Sequence, residues 1–227
     1  LHRCSYRLSH AGGYLGELQL SRQTRYTENE LASLEALLGT LLFPLRNALM
    51  YREALASALN DTLTGAGNRL ALNQNLERDM RLAKRTGQPL SLAILDVDHF
   101  KRINDMFGHD TGDEVLIAVA EGLKQENVFP ARQGGEEFVV LIYGEDYQRL
   151  AETVRRQITL SVLEKVPEVP FPVTASAGLT EIRLNDTLDS AVKRGDEALY
   201  AAKDAGRDQL LLWQDGKHSQ PRLVHGV

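Results

Sequence analysis

Two pairs of carboxylates mark the positions in this sequence where chemistry is most strongly indicated. Asp96 and Asp98 follow an apolar run in LDVDHFK, and Glu136 and Glu137 follow two glycines in RQGGEEF, at the start of the apolar run FVVLI. If the two runs form neighbouring strands, Asp96 and Glu136 converge against a sheet of low dielectric constant. Like charges held so close repel each other unless a cation neutralises them. The spacing therefore predicts a cation site.

The residue types indicate which cation and which chemistry to expect. Carboxylate and carbonyl oxygens are hard ligands that suit Mg²⁺ or Mn²⁺. A metal held on neighbouring strands can position a nucleoside triphosphate for phosphoryl or nucleotidyl transfer. Gly134 and Gly135 lack a Cβ, so their backbone N–H groups can approach a phosphate closely. The alternative is a Gly-Gly hairpin turn with solvated glutamates; the presence of LDVDHFK favours the site.

The elements that must position these residues follow from the hydrophobic pattern beyond Asn60. Apolar runs of strand length alternate with segments of helical periodicity. The predicted strands are LSLAILD, NVFPAR, EEFVVLIYG, VTASAGLTEI and DQLLLW, and the predicted helices cover 68–86, about 111–124, 146–165 and 188–205. The two runs around Gln133-Gly134-Gly135 predict a hairpin. The pattern predicts an α/β fold, with helices packed on a mixed sheet that includes this hairpin.

The segment before Asn60 has a different hydrophobic pattern. Two short predicted strands, HRCSYRLS and YLGELQLS, are joined at AGG, and Thr27 with Glu30 forms a capping-box pattern that begins a long helix. Its apolar positions alternate steps of three and four, which is a heptad seam: Leu31, Leu34, Leu38, Leu41, Leu45, Ala48, Leu55 and Leu59, with Arg52 as the polar exception. Pro44 is expected to kink or split this helix. We expect a stalk that pairs with a second copy; the alternative is a helix packed on its own domain.

Composition excludes several classes of protein. The 227 residues carry a net charge of −5, which argues against non-specific binding to nucleic acid or to an anionic membrane. The single cysteine, Cys4, excludes an internal disulfide framework and suits a reducing compartment. No apolar run has the length of a membrane span, and no signal peptide is visible. We expect a cytoplasmic protein, and the start at Leu1 indicates a fragment of something longer.

Five ordered motifs resemble the GGDEF family, the diguanylate cyclases. RQGGEEF is similar to the family signature in its variant with Glu at the third position, and LDVDHFKRINDMFGHDTGDEVL matches the longest family motif almost throughout. DTLTGAGNR, ASAGLT and DEALYAAKDAGRD match the other segments, although Ala66 stands where a leucine is usual. The resemblance covers residues 61 to about 213. It implies a fold like that of nucleotidyl cyclases and polymerase palms, and condensation of two GTP into cyclic di-3′,5′-GMP with release of two pyrophosphates.

The resemblance also implies roles for individual residues. Asp96, Glu136 and the Val97 carbonyl correspond to metal ligands, with Glu137 supporting the same site. Glu136 further corresponds to the general base for the 3′-hydroxyl. The remaining implied contacts are with GTP: Asn104 and Asp113 for guanine, Lys101, Lys203 and Arg207 for phosphate, and Phe100 and His109 for the shape of the pocket.

Alternatives remain for several of these positions. Asp113 could instead be a charge at a helix N-terminus that the helix dipole stabilises. Lys203 and Arg207 could lie on a solvated helix face. Phe100 and His109 could be ordinary packing residues. Many family members carry an RxxD product-binding site shortly before the glycine pair. The matching positions are Gln125 and Val128, so no such site is expected.

The resulting prediction has four parts. Residues 1–26 resemble the end of a GAF sensory domain, 27–60 form the stalk, 61–215 form the cyclase domain and 216–227 form a tail. The expected enzyme is a Mg²⁺-dependent homodimer, paired through the stalk, with two facing active sites that each hold one GTP. The alternative function is a catalytically silent module that binds GTP or a cyclic dinucleotide. A cyclase with a mixed GMP–AMP product is disfavoured because Asp113 retains the guanine-type residue.

Overall fold

A computed structural model of the protein describes residues 1–10, 13–183, 185–214 and 217–219. The chain divides into two units, Leu1–Ala58 and Leu59–Val227. None of the helices in the described ranges is both long and apolar enough to cross a lipid bilayer.

The first unit contains the predicted hairpin and the predicted long helix. β1 (His2–His10) pairs antiparallel with β2 (Gly13–Arg22), and half-buried and exposed side chains alternate along both strands. Residues 11 and 12 of the predicted AGG turn lie outside the described residues. Helix α1 (Glu28–Leu59) begins at the predicted capping box: the Thr27 N–H donates to the Glu30 carboxylate at 2.8 Å. The GAF-like assignment of this segment stays a prediction.

Helix α1 is continuous through Pro44, so the expected split does not occur. No residue of α1 is fully buried within this chain. Of the predicted seam, Leu31, Leu34, Leu38 and Leu45 are half-buried, whereas Leu41 and Leu55 are 56% and 46% exposed.

The second unit is a six-stranded mixed sheet between two layers of helices. The strand order is β4–β5–β3–β6–β7–β8; β6 and β7 are parallel, and every other neighbouring pair is antiparallel. The strands are β3 (Leu90–Val97), β4 (Val128–Gly134), β5 (Glu137–Tyr143), β6 (Ala175–Glu181), β7 (Leu210–Gln214) and β8 (Lys217–Ser219). The helices are α2 (Arg69–Thr86), α3 (Phe100–Phe107), α4 (His109–Gly122), α5 (Tyr147–Lys165) and α6 (Leu188–Asp204).

Strand β3 lies in the middle of the sheet, and all eight of its residues are buried. Leu92 and Ile94 pack with α2 and α6 on one face, while Ala93 and Leu95 pack with α3, α4 and α5 on the other. This two-sided burial explains why the sequence shows a continuous apolar run rather than an alternating one.

Two elements were not predicted. Helix α3 is separated from α4 by Gly108, whose φ of 90° breaks the helical path. Strand β8 adds to the edge of the sheet beside β7. Both are short, and short elements carry too few residues to establish a period.

Candidate active site

The two predicted carboxylate pairs lie near each other at the edge of the sheet where β3 ends and β5 begins. Asp96 lies directly opposite Glu137 in the antiparallel register of β3 and β5. The Val97 N–H donates to the Glu136 carbonyl at 3.3 Å, which ties the end of β3 to the glycine turn. β3 and β5 are therefore neighbouring strands, which brings Asp96 next to the GGEE segment.

A cation from α6 already stands beside Asp96. The Lys203 ammonium lies 2.9 Å from the Asp96 carboxylate. Helix α6 can bring it there because the helix touches the sheet backbone: a Cβ on Gly178 of β6 would lie 2.1 Å from the Gly195 carbonyl oxygen. Any larger residue at 178 would push α6, and with it Lys203, away from β3.

The electrostatics of this edge favour a bound cation. Burial raises the pKa of Asp96, the carboxylates of Glu136 and Asp98 raise it further, and Lys203 opposes them. Burial also raises the pKa of Glu137, and the neighbouring Asp96 and Asp196 carboxylates add to that effect. The local negative charge is therefore only partly compensated by Lys203.

The donor set fits a magnesium ion that shares its coordination with a substrate. Within the described ranges, no group of three or more His, Cys, Asp or Glu side chains is placed to hold a metal alone. Mg²⁺ is commonly held by one or two protein carboxylates, with phosphate oxygens and water as its other ligands. Asp96 and the neighbouring Glu136 and Glu137 offer carboxylate oxygens at this edge.

The glycine turn is open on the side that faces away from the protein. Gly134 and Gly135 have φ values of 150° and 53°, and a Cβ on either would meet no atom within 4 Å. Arg132 holds the turn from below: its Nε and Nη2 donate to the Gly135 carbonyl at 2.9 and 2.8 Å, and Nη1 donates to Asp61 at 3.0 Å. The backbone of this turn is thus held in place beside open space.

The predicted guanine and phosphate residues occupy α3, α4 and the end of α6. Asn104 lies against the first turn of α4, where a Cβ on Gly112 would approach its Oδ1 to 1.9 Å. That Oδ1 is buried without a hydrogen-bond partner. Asp113 and His109 are exposed on α4, whereas Phe100 is buried in the core. In the described part of the chain, the cationic groups of Lys101 and Arg207 are exposed and form no ion pair.

A comparison with known protein families identifies the domain that carries these residues. The diguanylate cyclase GGDEF domain family matches residues 58–209. The chain belongs to this family.

The chain is similar to proteins named as a diguanylate cyclase and as a response regulator. Diguanylate cyclase DgcP of Pseudomonas aeruginosa is 45% identical over 159 residues, which cover 67% of this chain and 24% of DgcP. Response regulator PleD of Caulobacter vibrioides is 36% identical over 179 residues, which cover 74% of this chain and 38% of PleD. The chain thus spans well under half the length of these curated relatives.

Solved GGDEF domains confirm the predicted fold class. The coiled coil and GGDEF domain of DgcB from Caulobacter crescentus, solved with c-di-GMP, has a TM-score of 0.64 and 31% identity; the match covers 79% of this chain and 99% of that one. Diguanylate cyclase SiaD from Pseudomonas aeruginosa, solved with its activator SiaC, has a TM-score of 0.61 and 36% identity, covering 82% and 75%.

Asp98 has a different role in this GGDEF domain from that of Asp96. Its buried carboxylate accepts hydrogen bonds from the Thr174 and Ser176 hydroxyls at 2.8 and 2.7 Å and from the Asp208 N–H at 3.1 Å. Three donors satisfy the charge without a metal. Asp98 therefore ties β3 to β6 and to the loop after α6.

Two residues near the predicted site, Asp196 and Gly112, were not singled out from the sequence. Asp196 lies on α6, two turns before Lys203, and burial raises its pKa while Lys203 opposes the shift. Gly112 permits the close contact with Asn104. Both lie inside motifs quoted above, DEALYAAKDAGRD and HDTGDE, but an exposed Asp and a helical Gly carry no signal of their contacts in the sequence.

Proposed function

We propose that this chain condenses two GTP molecules into cyclic di-3′,5′-GMP and releases two pyrophosphates. The observation that supports this most directly is the juxtaposition of Asp96 and Lys203 with the open glycine turn, where carboxylates and a cation lie beside uncovered backbone. The arrangement suits a bound triphosphate, and family membership supplies the reaction class.

We assign Asp96, Glu136 and the Val97 carbonyl as ligands of Mg²⁺, with Mn²⁺ as a substitute and Glu137 in support. The metal supplies charge neutralisation at the phosphates and assists ionisation of the attacking hydroxyl. Glu136 accepts the proton of the 3′-hydroxyl, since its carboxylate lies at the glycine turn where the ribose must approach.

The remaining cations and polar groups hold the GTP. Lys203, Lys101 and Arg207 bind phosphate oxygens, and Lys203 lies close enough to Asp96 to serve both that carboxylate and a phosphate beside it. Gly134 and Gly135 offer backbone N–H groups to the same oxygens.

Guanine recognition falls to α3 and α4. Asp113 accepts hydrogen bonds from the N1 and N2 edge of guanine, which adenine does not offer. Asn104 on α3 lies beside the first turn of α4, and we assign its side-chain amide to the same guanine contact. Phe100 supports the pocket from the core, and His109 borders it from the surface.

One domain holds one GTP, so the reaction needs two domains that face each other. The uncovered Leu41 and Leu55 of α1 support pairing of two stalks as a homodimer. We infer that the reaction takes place in the cytoplasm, where GTP is available, and we expect neither nucleic acid nor a membrane as a partner of this chain.

The alternative is a GTP- or cyclic dinucleotide-binding module without turnover. The deciding experiment incubates the purified protein, at high concentration, with GTP and Mg²⁺ and resolves the products by chromatography. Cyclic di-GMP with two pyrophosphates per product supports the proposal. Bound but unconverted GTP establishes the binding module instead.

Dilution tests the need for two domains. We expect the rate to rise faster than linearly with protein concentration, because each hydroxyl attacks a phosphate held by the other copy. The rate is measured across the dimer dissociation constant determined by sedimentation. A specific activity that stays constant far below that constant contradicts the two-domain arrangement.

Added product tests feedback. Gln125 has no guanidinium fork for guanine and phosphate, and Val128 has no acceptor for a guanine edge. We therefore expect cyclic di-GMP to inhibit only by competition with GTP. Initial rates are measured against added product at saturating GTP, and strong inhibition that excess GTP does not relieve contradicts this expectation.

A further inference from the structure

The loop between α6 and β7 holds three consecutive residues with positive φ. Gly206, Arg207 and Asp208 have φ values of 117°, 66° and 47°. For residues with a Cβ this region is unfavourable, so two adjacent non-glycine residues persist there only when surrounding contacts hold them. The loop directly follows Lys203 and carries Arg207, both of which we assign to phosphate binding.

Two contacts from other elements hold the loop at Asp208. Its backbone N–H donates to the buried Asp98 carboxylate at 3.1 Å, which anchors it to the end of β3. Its side-chain carboxylate accepts a hydrogen bond from Nη1 of Arg155 on α5. One contact fixes the backbone and the other fixes the side chain, so the residue after Arg207 cannot rotate freely.

Arg155 is itself held rigidly. Only 8% of its side chain is exposed, and its Nε and Nη2 donate to the two oxygens of Glu152 at 2.8 Å each. Its Nη1 also donates to the Ala175 carbonyl at 3.1 Å, at the start of β6. A buried guanidinium with this many fixed acceptors is an oriented donor rather than a mobile surface charge.

We propose that Arg155 and Asp208 are positioning residues for the phosphate-binding cations. The pair maintains the left-handed backbone at Arg207 and so directs that guanidinium toward the triphosphate, without touching substrate. The inference rests on the proposed function, because it assumes that Arg207 binds a GTP phosphate. Nothing in the motifs of the sequence pointed to Arg155, which lies far from them on α5.

The matched variants separate orientation from packing. Asp208→Ala removes the acceptor and disfavours positive φ, whereas Asp208→Asn keeps an acceptor oxygen and tolerates that backbone. Arg155→Lys keeps the charge but loses the fork. Arg156→Lys is the control, because Arg156 pairs with the same Glu152 at 2.7 Å but is 67% exposed and does not contact Asp208.

The experiment measures GTP affinity by calorimetry with GTP and Mg²⁺, together with KM and kcat, for each variant alone and combined with Arg207→Ala. We expect Asp208→Ala and Arg155→Lys to weaken GTP binding about tenfold, with Asp208→Asn and Arg156→Lys within about twofold of wild type. In the Arg207→Ala background, Asp208→Ala should add less than about twofold, because the residue it positions is gone.

Three other results would contradict the positioning role of Asp208 and Arg155 or the proposed function. If Asp208→Ala weakens binding equally with and without Arg207, the loop has only a structural role and the inference is wrong. The same holds if Asp208→Asn is as impaired as Asp208→Ala. If Arg155→Lys does not fold, the Asp208 variants decide alone, since 58% of the Asp208 side chain is exposed. Wild-type protein that does not bind GTP overturns the proposed function as well, whereas GTP binding without coupling overturns only this inference.

Discussion

Replacing Glu136 with glutamine is expected to lower kcat by about 10³-fold. The amide keeps the shape of the side chain but removes the negative charge and the basic oxygen that the two roles proposed for Glu136, metal ligand and general base, require. Because Glu136 lies at the turn and not in the core, the fold should persist. The rate of cyclic dinucleotide formation is measured at saturating GTP and Mg²⁺.

The matched control for this variant is Glu126→Gln, an exposed glutamate in the loop before β4. This variant loses the same charge, but Glu126 precedes β4 and lies away from the glycine turn. Its kcat should therefore equal that of wild type. A Glu136→Gln protein with a near wild-type rate and ordinary dependence on Mg²⁺ would remove Glu136 from the mechanism.

Replacing Asp96 with asparagine is expected to lower kcat/KM by about 100-fold and to raise the Mg²⁺ concentration needed for half-maximal rate. Asn offers a neutral oxygen where the ion needs a charged one, and it also ends the 2.9 Å ion pair with Lys203. Rates are measured as a function of Mg²⁺ at saturating GTP.

Stability separates this effect from unfolding. Burial raises the pKa of Asp96, so the folded protein disfavours its charged form, and a neutral isostere should be tolerated. We expect the metal-free Asn variant to melt near the wild-type temperature. Asp105→Asn on the exposed face of α3 is the control. An unchanged Mg²⁺ dependence in Asp96→Asn would show that the ion is held elsewhere.

The regular elements of the second unit could be predicted because each is long enough to show its period. β3 is mostly apolar because it is buried on both faces, and α2 ends at Thr86, as the predicted range 68–86 has it, before Gly87 with a φ of 73°. The hairpin of β4 and β5 follows from two apolar runs around a glycine pair. The sequence also placed Asp96 and Glu136 at strand ends, where a cation site can form.

Asp96 and Asp98 show where the sequence could not decide. Both are acidic, two residues apart, and near the end of the same strand. The difference arises from β6 and the loop after α6, which bring two hydroxyls and one N–H to Asp98, whereas α6 brings Lys203 to Asp96. These partners are distant in the chain, so no local pattern records them.

The sequence by itself determined the class of fold and the family, because these depend on local periodicity and on motifs of consecutive residues. Only the tertiary structure decided which groups are satisfied and which remain available. In the folded chain Arg155 holds Asp208, the Oδ1 of Asn104 is buried without a hydrogen-bond partner, and the glycine turn is open. Charge compensation and free space depend on distances between residues far apart in the chain, and only packing sets those distances.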